Sequence, residues 1–334
     1  MTYKDKVVLI TGGTGSFGQA FIKNLLTNHQ PKKVIVFSRD EMKQWEMEKN
    51  NKCDERIRFF IGDVRDKDRL RRAFNGVDLV VHAAATKIVP TAERDPFECV
   101  KTNVIGSINV IDAALDLGVK KVVALSTDKA SSPINLYGAT KLVSDKLFVA
   151  ANAYGAGSTS FSVVRYGNVL GSRGSVIPLF LKQKENGLLT ITNAQMTRFM
   201  ITLEQGIELV DRCFADMIGG EIYVKKIPSM KIIDIAQAIG PNCEIREVGI
   251  RLGEKIHEQM ISIEDAEHTY DFTGYYKIIP PTASGDKLIA MTQNGEKVPS
   301  GFRYSSEVND EWMSKEQLLD LIKKNGRTFL STQW

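Results

Sequence analysis

The sequence predicts a doubly wound α/β fold, a parallel sheet with helices on both faces, followed by a smaller α/β lobe on the C-terminal side. Two observations carry this expectation. Apolar runs rich in Val, Ile and Phe recur at residues 6–11, 33–38, 57–61, 79–82, 121–126 and 161–165, as strands buried on both faces require. Between them the spacing predicts helices over residues 17–27, 40–50, 67–74, 96–117 and 136–153, and strand–helix alternation of this kind builds a parallel sheet.

The first strand is marked by the loop at its end. It runs into Thr11-Gly12-Gly13-Thr14-Gly15-Ser16-Phe17-Gly18 and opens directly into a helical pattern. Glycines at 12, 15 and 18 allow a tight turn, close approach to a pyrophosphate and close helix–sheet packing, and the helix N-terminus offers unpaired N–H groups. With a strand before and a helix after, this is the Rossmann context for a dinucleotide. The second strand should end in an acidic residue if the ribose carries a free 2′-hydroxyl. Here it ends in Ser38-Arg39-Asp40 with Lys43 a turn later, and a guanidinium pairs well with a 2′-phosphate, so NADP is favoured over NAD. The bland alternative is a solvated Arg39 and an Asp40 that caps the helix. Asp63-Val64 after the third strand and Ala83-Ala84-Ala85 after the fourth are placed to touch adenine and ribose. His82, on a strand end, reads as a packed side chain.

The fifth strand ends in Ser126-Thr127-Asp128-Lys129, and Tyr137 and Lys141 follow on the next helix. Four residues apart, the latter two share one helical face. A nearby ammonium stabilises a phenolate, which makes Tyr137 a candidate general base with a pKa lowered toward working pH. After Gly167 the strand–helix rhythm breaks, with a turn cluster over residues 171–175 and a helix over 203–217. The Gly-, Pro-, Tyr- and Thr-rich stretch 271–302 reads as loops and short strands, and 314–324 as a closing helix. The expected division is a nucleotide-binding domain over residues 1–167 and, over 168–334, mainly a substrate-binding lobe with some segments returning to the first domain.

Composition excludes several classes. At 334 residues, 43% hydrophobic and 25% charged, the chain can bury a sizeable core without covalent staples. Cys53, Cys99, Cys213 and Cys243 show no paired spacing, which argues against a zinc knuckle or thioredoxin-like motif. No metal set is apparent. A net charge of +4, from 44 basic and 40 acidic residues, is too weak for a nucleic-acid or anionic-membrane partner. The longest uncharged stretch, 147–164, is interrupted by polar residues and glycines, so no membrane span is expected. The N-terminus lacks the apolar core of a signal peptide, and a cytoplasmic location is the expectation.

The glycine loop, Thr127 and the Tyr137/Lys141 pair together resemble the extended short-chain dehydrogenase/reductase superfamily over residues 6 to about 260. The run from Ser126 to Ala130, followed by Pro133-Ile134-Asn135-Leu136-Tyr137-Gly138-Ala139-Thr140-Lys141, is similar to the inverting UDP-N-acetylglucosamine 4,6-dehydratases of the pseudaminic acid pathway. Further runs in the same order add to it: Gly62 to Asp66, Arg165 to Val169, Gly171 to Val176, Met196 to Phe199 and Gly253 to Lys255. In a retaining dehydratase of this superfamily, Asp-Glu would stand where this chain has Asp128-Lys129.

The resemblance implies a complete site. Tyr137 takes the proton from the sugar O4 with Lys141 and Thr127 beside it, Lys129 as a neutral amine removes the C5 proton, and Asp128, kept protonated by burial, delivers a proton to the departing C6 hydroxyl. Cofactor contacts fall on Gly12, Gly15, Ser16, Phe17, Gly18, Ser38, Arg39, Asp40, Lys43, Asp63, Val64, Ala83, Lys87, Thr102, Asn103, Tyr137, Lys141, Val169 and Arg173. Substrate contacts fall on Lys87, Asn168, Val176, Asn193, Arg198, Arg251 and Glu254. The expected partners are tightly bound NADP, UDP-N-acetylglucosamine and further copies of the chain, from dimer to hexamer. A 4-epimerase, a retaining dehydratase and a non-catalytic NADP sensor on the same fold remain as alternatives.

Overall fold

The computed structural model describes residues 2–50, 54–154, 157–171 and 175–330. Six parallel strands form in the expected places: β1 (Val7–Thr11), β2 (Lys33–Ser38), β3 (Ile57–Ile61), β4 (Leu79–His82), β5 (Lys121–Leu125) and β6 (Ser160–Arg165). They lie in the order 3-2-1-4-5-6, so the chain reverses direction of build between β1 and β4. That switch point opens a crevice at the carboxyl ends of the strands, where doubly wound sheets bind ligands. Four further strands from the second half extend the same sheet beyond β6, first Ile222–Lys225 in parallel and then Tyr275–Ile278, Thr269–Phe272 and Glu296–Lys297 antiparallel.

The helices on the two faces are α1 (Ser16–Asn28), α2 (Glu41–Asn50), α3 (Lys67–Phe74), α4 (Val89–Arg94), α5 (Pro96–Val100), α6 (Gly106–Asp116) and α7 (Leu136–Ala150). The long helix expected over 96–117 is divided: α5 and α6 are joined by a π-helical turn, Lys101–Ile105. Wide turns of this kind push side chains out of the usual register and recur near functional sites. The last turn expected of α7 tightens to a 3₁₀ turn, Ala151–Ala153. The stretch 271–302, expected to hold only loops and short strands, also carries a helix, Gly285–Thr292.

Beyond residue 167 the chain divides between two hydrophobic cores. Phe199, Ile207, Val210, Phe214, Tyr223, Met260 and Tyr304 pack into the core of the large sheet. A second core gathers Leu170, Ile177, Phe180, Leu189, Met196, Met230, Ile235 and Leu318 under short helices that apolar periodicity does not single out, Val176–Lys184 and Ile232–Ile239. The crevice lies between this second core and the strand ends. His82 is fully buried with its Nδ1 2.8 Å from Thr11 Oγ1, a packed side chain as the sequence suggests. Cys99, Cys213 and Cys243 are free thiols, and Cys53 lies outside the described residues. Among the described residues no helix is long and apolar enough to cross a membrane, and no cluster of His, Cys, Asp or Glu could hold a metal ion.

Candidate active site

A cleft of about 840 Å³ runs from the glycine loop along the strand ends to the second core. Of the described residues assigned from the sequence to cofactor, substrate or catalysis, all but Asn103 and Asn193 line it. At its nucleotide end the backbone of Gly12 takes φ +67, and a Cβ there would meet Ala84 N at 2.8 Å, so β1 and the strand-4 loop touch only because residue 12 has no side chain. The N-cap of α1 is Gly15, with no side-chain cap and no acidic residue in the first turn. The helix therefore presents open N–H groups and positive dipole to the cleft, a fit for a pyrophosphate.

At the end of β2, Arg39 is 67% exposed with Nη1 3.9 Å from Asp63 Oδ2. Asp63 is held more tightly by Arg65, at 2.7 Å. Asp40 accepts from Lys43 N at 3.0 Å and pairs with its Nζ at 2.5 Å, so it does cap the first turn of α2. Two cations thus stand at the mouth of the ribose end, each beside a carboxylate.

The other end is built on one short turn. Thr127 caps the 3₁₀ turn Asp128–Ala130 and donates to Asp128 Oδ1 at 2.9 Å. Helix α7 packs on this turn so closely that a Cβ on Gly138 would lie 2.2 Å from Lys129 O, which is why glycine follows Tyr137. Asn135 caps α7 through Gly138 N and also holds Gly253 O at 2.7 Å, tying the helix start to the loop of Arg251 and Glu254. Tyr137, Lys141 and Asp145 follow at four-residue intervals and are all buried. Asp145 accepts from Ser126 Oγ at 2.8 Å and from Arg165 Nη2 at 3.2 Å.

Lys129 Nζ lies 3.1 Å from Asp128 Oδ1 and 3.0 Å from Glu258 Oε1. Asp128 is 1% exposed and Lys129 23%, so this is no surface pair. Burial pushes the Asp128 carboxyl up, with Glu258 adding to it and Lys129 opposing. Burial would lower Lys129, but the two carboxylates outweigh it and hold the ammonium above the ordinary lysine range. The expected neutral amine is therefore not the resting state: Lys129 is a cation between two acids. The tyrosine expectation is corrected in the same way. Burial pushes Tyr137 up to about 12, and the groups opposing the rise are Lys129 and Thr127, through a hydrogen bond, not Lys141. Lys141 itself is lowered by burial, against the pull of Asp145.

Two sequence-derived residues among the described ones do not line the cleft. Asn103, in the π turn, donates to Thr86 O at 2.9 Å and Thr140 Oγ1 at 3.0 Å and accepts from Thr86 N, so it braces α7 against the strand-4 loop from behind. Asn193 accepts from Gln195 N at 2.8 Å within its own turn. Arg173 lies outside the described residues. Arg198 does reach the wall, but its terminal nitrogens are engaged by Thr197 O, Ile256 O, Lys255 O and Met196 Sδ, so it fastens the 255–258 segment to the site.

A family model described as "Polysaccharide biosynthesis protein" matches residues 8–280. The chain belongs to that family. The inverting UDP-N-acetylglucosamine 4,6-dehydratase of Campylobacter jejuni is 54% identical over 96% of this chain and 98% of its own length. A protein named UDP-glucose 4-epimerase from Rickettsia felis is 46% identical over 96% of both chains. Among solved structures, Pen from Bacillus thuringiensis superposes with a TM-score of 0.89 at 39% identity, covering 98% of this chain and 99% of that one. DesIV, a dTDP-glucose 4,6-dehydratase from Streptomyces venezuelae solved with NAD bound, gives 0.66 at 26% identity over 75% of this chain and 86% of that one. This member of the polysaccharide biosynthesis family has the fold of the extended short-chain dehydrogenase/reductases, and its likeness to such structures supports a nicotinamide cofactor in the cleft.

Two residues of the site, Glu258 and Asp145, are not among those the sequence points to. Asp145 has a signal there, the continuation of the Tyr137–Lys141 spacing by four residues. Glu258 has none, since it is 129 positions from Lys129 and only the fold brings them together.

Proposed function

We propose that this protein is an inverting UDP-N-acetylglucosamine 4,6-dehydratase, a lyase that forms UDP-2-acetamido-2,6-dideoxy-β-L-arabino-hex-4-ulose for pseudaminic acid or a related surface glycan. The observation that carries this reading is the contact between Lys129 and the buried Asp128 at 3.1 Å on the cleft wall, on the turn that α7 presses against. When bound, the nicotinamide supplies a cationic hydride acceptor at C4 and later a hydride donor for C6. Tyr137, as the phenolate, accepts the O4 proton and becomes the phenol. The C4 ketone acidifies C5–H, Lys129 takes that proton, and Asp128 hands its own to O6, which leaves as water. An amine and a carboxylic acid enter this step and an ammonium and a carboxylate leave it. The reactive pair and the resting pair hold the same number of protons, so transfer of one proton along the 3.1 Å contact converts one into the other without exchange with solvent.

Arg251, Glu254, Lys87, Asn168 and Val176, all on the cleft wall, are assigned to the UDP-sugar. NADP is favoured over NAD on Arg39 and Lys43. Replacing Arg39 by glutamate should weaken NADP more than NAD, and equal losses in titrations of cofactor-stripped protein would remove the 2′-phosphate assignment. Self-association is supported by Phe97, Val100 and Val143, apolar and exposed on the neighbouring helical segments that begin at α5 and on α7. The free thiols Cys99, Cys213 and Cys243 fit a reducing compartment such as the cytoplasm.

The Rickettsia relative's name favours a second reading, a UDP-hexose 4-epimerase. Epimerisation needs a tyrosine base but no acid/base pair aimed at C5 and C6. Mass spectrometry after incubation with UDP-N-acetylglucosamine separates the two: a product lighter by one water is expected, and an isomer of unchanged mass would establish the epimerase.

A further inference from the structure

We propose that Glu258 is a positioning residue for the elimination pair, a fixed carboxylate that aims Lys129 at Asp128 and keeps one proton within the two of them. The inference rests on the dehydratase reading and adds to it a third acid that the reaction does not consume.

Glu258 is almost fully buried, stands just ahead of the strand Gln259–Ile261, and its backbone N–H donates to Ser306 Oγ at 2.9 Å. Its Oε1 lies 3.0 Å from Lys129 Nζ and 3.8 Å from Arg198 Nε, and its Oε2 is buried with no hydrogen-bond partner. A carboxylate so placed is costly to bury unless it compensates a charge. The charges facing the cluster are Asp128 from the 3₁₀ turn, Arg198 from Thr197–Ile201, Lys255 from the loop before Glu258 and the ionisable Tyr137 from α7. Arg198 and Lys255 would drive a proton off Lys129, and Glu258 opposes them together with Asp128, the reacting partner. Lys255 Nζ also donates to Ser131 O at 2.7 Å, so the segment carrying Glu258 is clamped to the turn carrying Asp128 and Lys129.

The active form of the pair is the one that holds a single proton. Above its alkaline limb Asp128 has nothing to give, and below its acid limb Lys129 cannot accept. Removing the negative charge of Glu258 lowers both proton affinities, because a carboxylate near either group favours the protonated form.

The test is Glu258→Gln, with deuterium wash-in at C5 followed against pH during incubation with UDP-N-acetylglucosamine in deuterated water. Both limbs should move to lower pH, the alkaline one by at least about one unit, while formation of reduced nicotinamide, which reports C4 oxidation, changes within a few fold. A loss of packing alone would slow both steps and leave the limbs in place. In cofactor-free protein labelled at the lysine side-chain nitrogen, the Lys129 resonance, identified by its loss in Lys129→Ala, should titrate at lower pH in Glu258→Gln. Glu258→Asp, which keeps the charge, should retain the wild-type limbs and guards against a glutamine variant that fails to fold. Unmoved limbs in Glu258→Gln, with Lys129→Ala inert in exchange, would overturn the role of Glu258 alone. Exchange at wild-type rate in Lys129→Ala would take down the base assignment and this proposal with it.

Discussion

A Lys129→Ala protein oxidises its substrate and then stops. Oxidation at C4 depends on Tyr137 and the nicotinamide, neither of which the substitution removes, so it should slow only as far as the phenol rises without the Lys129 ammonium, whereas the C5 proton loses its acceptor. Reduced cofactor should accumulate in a single turnover, visible by its absorbance, where the wild type shows little because hydride returns to C6 within the cycle. Water loss should fall by at least about a hundredfold, since without a carbanion at C5 the C6 hydroxyl has nothing to expel it. With the ammonium gone, Asp128 keeps only the Thr127 donor and the neighbouring Glu258 charge, so its carboxyl rises further and takes up a proton more readily than in the wild type. An acid with no base beside it cannot start the elimination. C5 exchange at the wild-type rate would show that another group is the base.

Tyr137→Phe should act one step earlier. The ring remains to fill its buried place against Ala92 and Cys99, while the hydroxyl that takes the O4 proton is lost, so turnover should fall by at least about a hundredfold with UDP-sugar affinity within a few fold. Neither reduced cofactor nor C5 exchange should appear, which distinguishes this variant from Lys129→Ala. Because burial pushes the phenol up to about 12, wild-type oxidation should accelerate as pH rises toward that range in any step limited by phenolate. Near-normal turnover in the variant would remove Tyr137 from the chemistry.

Much of this is legible in the sequence where the signal is local. The six parallel strands are readable because burial on both faces makes them continuous apolar runs, and the glycine loop because strand, loop and helix are contiguous. The helices around the second core are not. Val176–Lys184 and Ile232–Ile239 are short, and their apolar residues give no periodic stripe long enough to separate a helix from a buried strand. Asn103 falls in the expected neighbourhood but in a different role, because a π turn shifts which residues face the cleft and nothing local announces one. The states of Tyr137 and Lys129 depart from expectation for a shared reason. The sequence displays the neighbour four residues along the helix, whereas the charge that acts most on Tyr137 is Lys129, on the turn α7 packs against, and Lys129 in turn is held by its neighbour Asp128 and by Glu258, which only tertiary packing brings 3.0 Å from it.

On this reading the Asp128–Lys129 pair makes the cleft an eliminating rather than an epimerising site, with C5 as the carbon whose configuration changes. Proton NMR of the wild-type protein turning over UDP-N-acetylglucosamine in deuterated water puts that to the proof. The expected product is a 6-deoxy-4-keto sugar that carries deuterium at C5 with inverted configuration. A 4-epimer that keeps its C5 proton and its C6 hydroxyl would refute it.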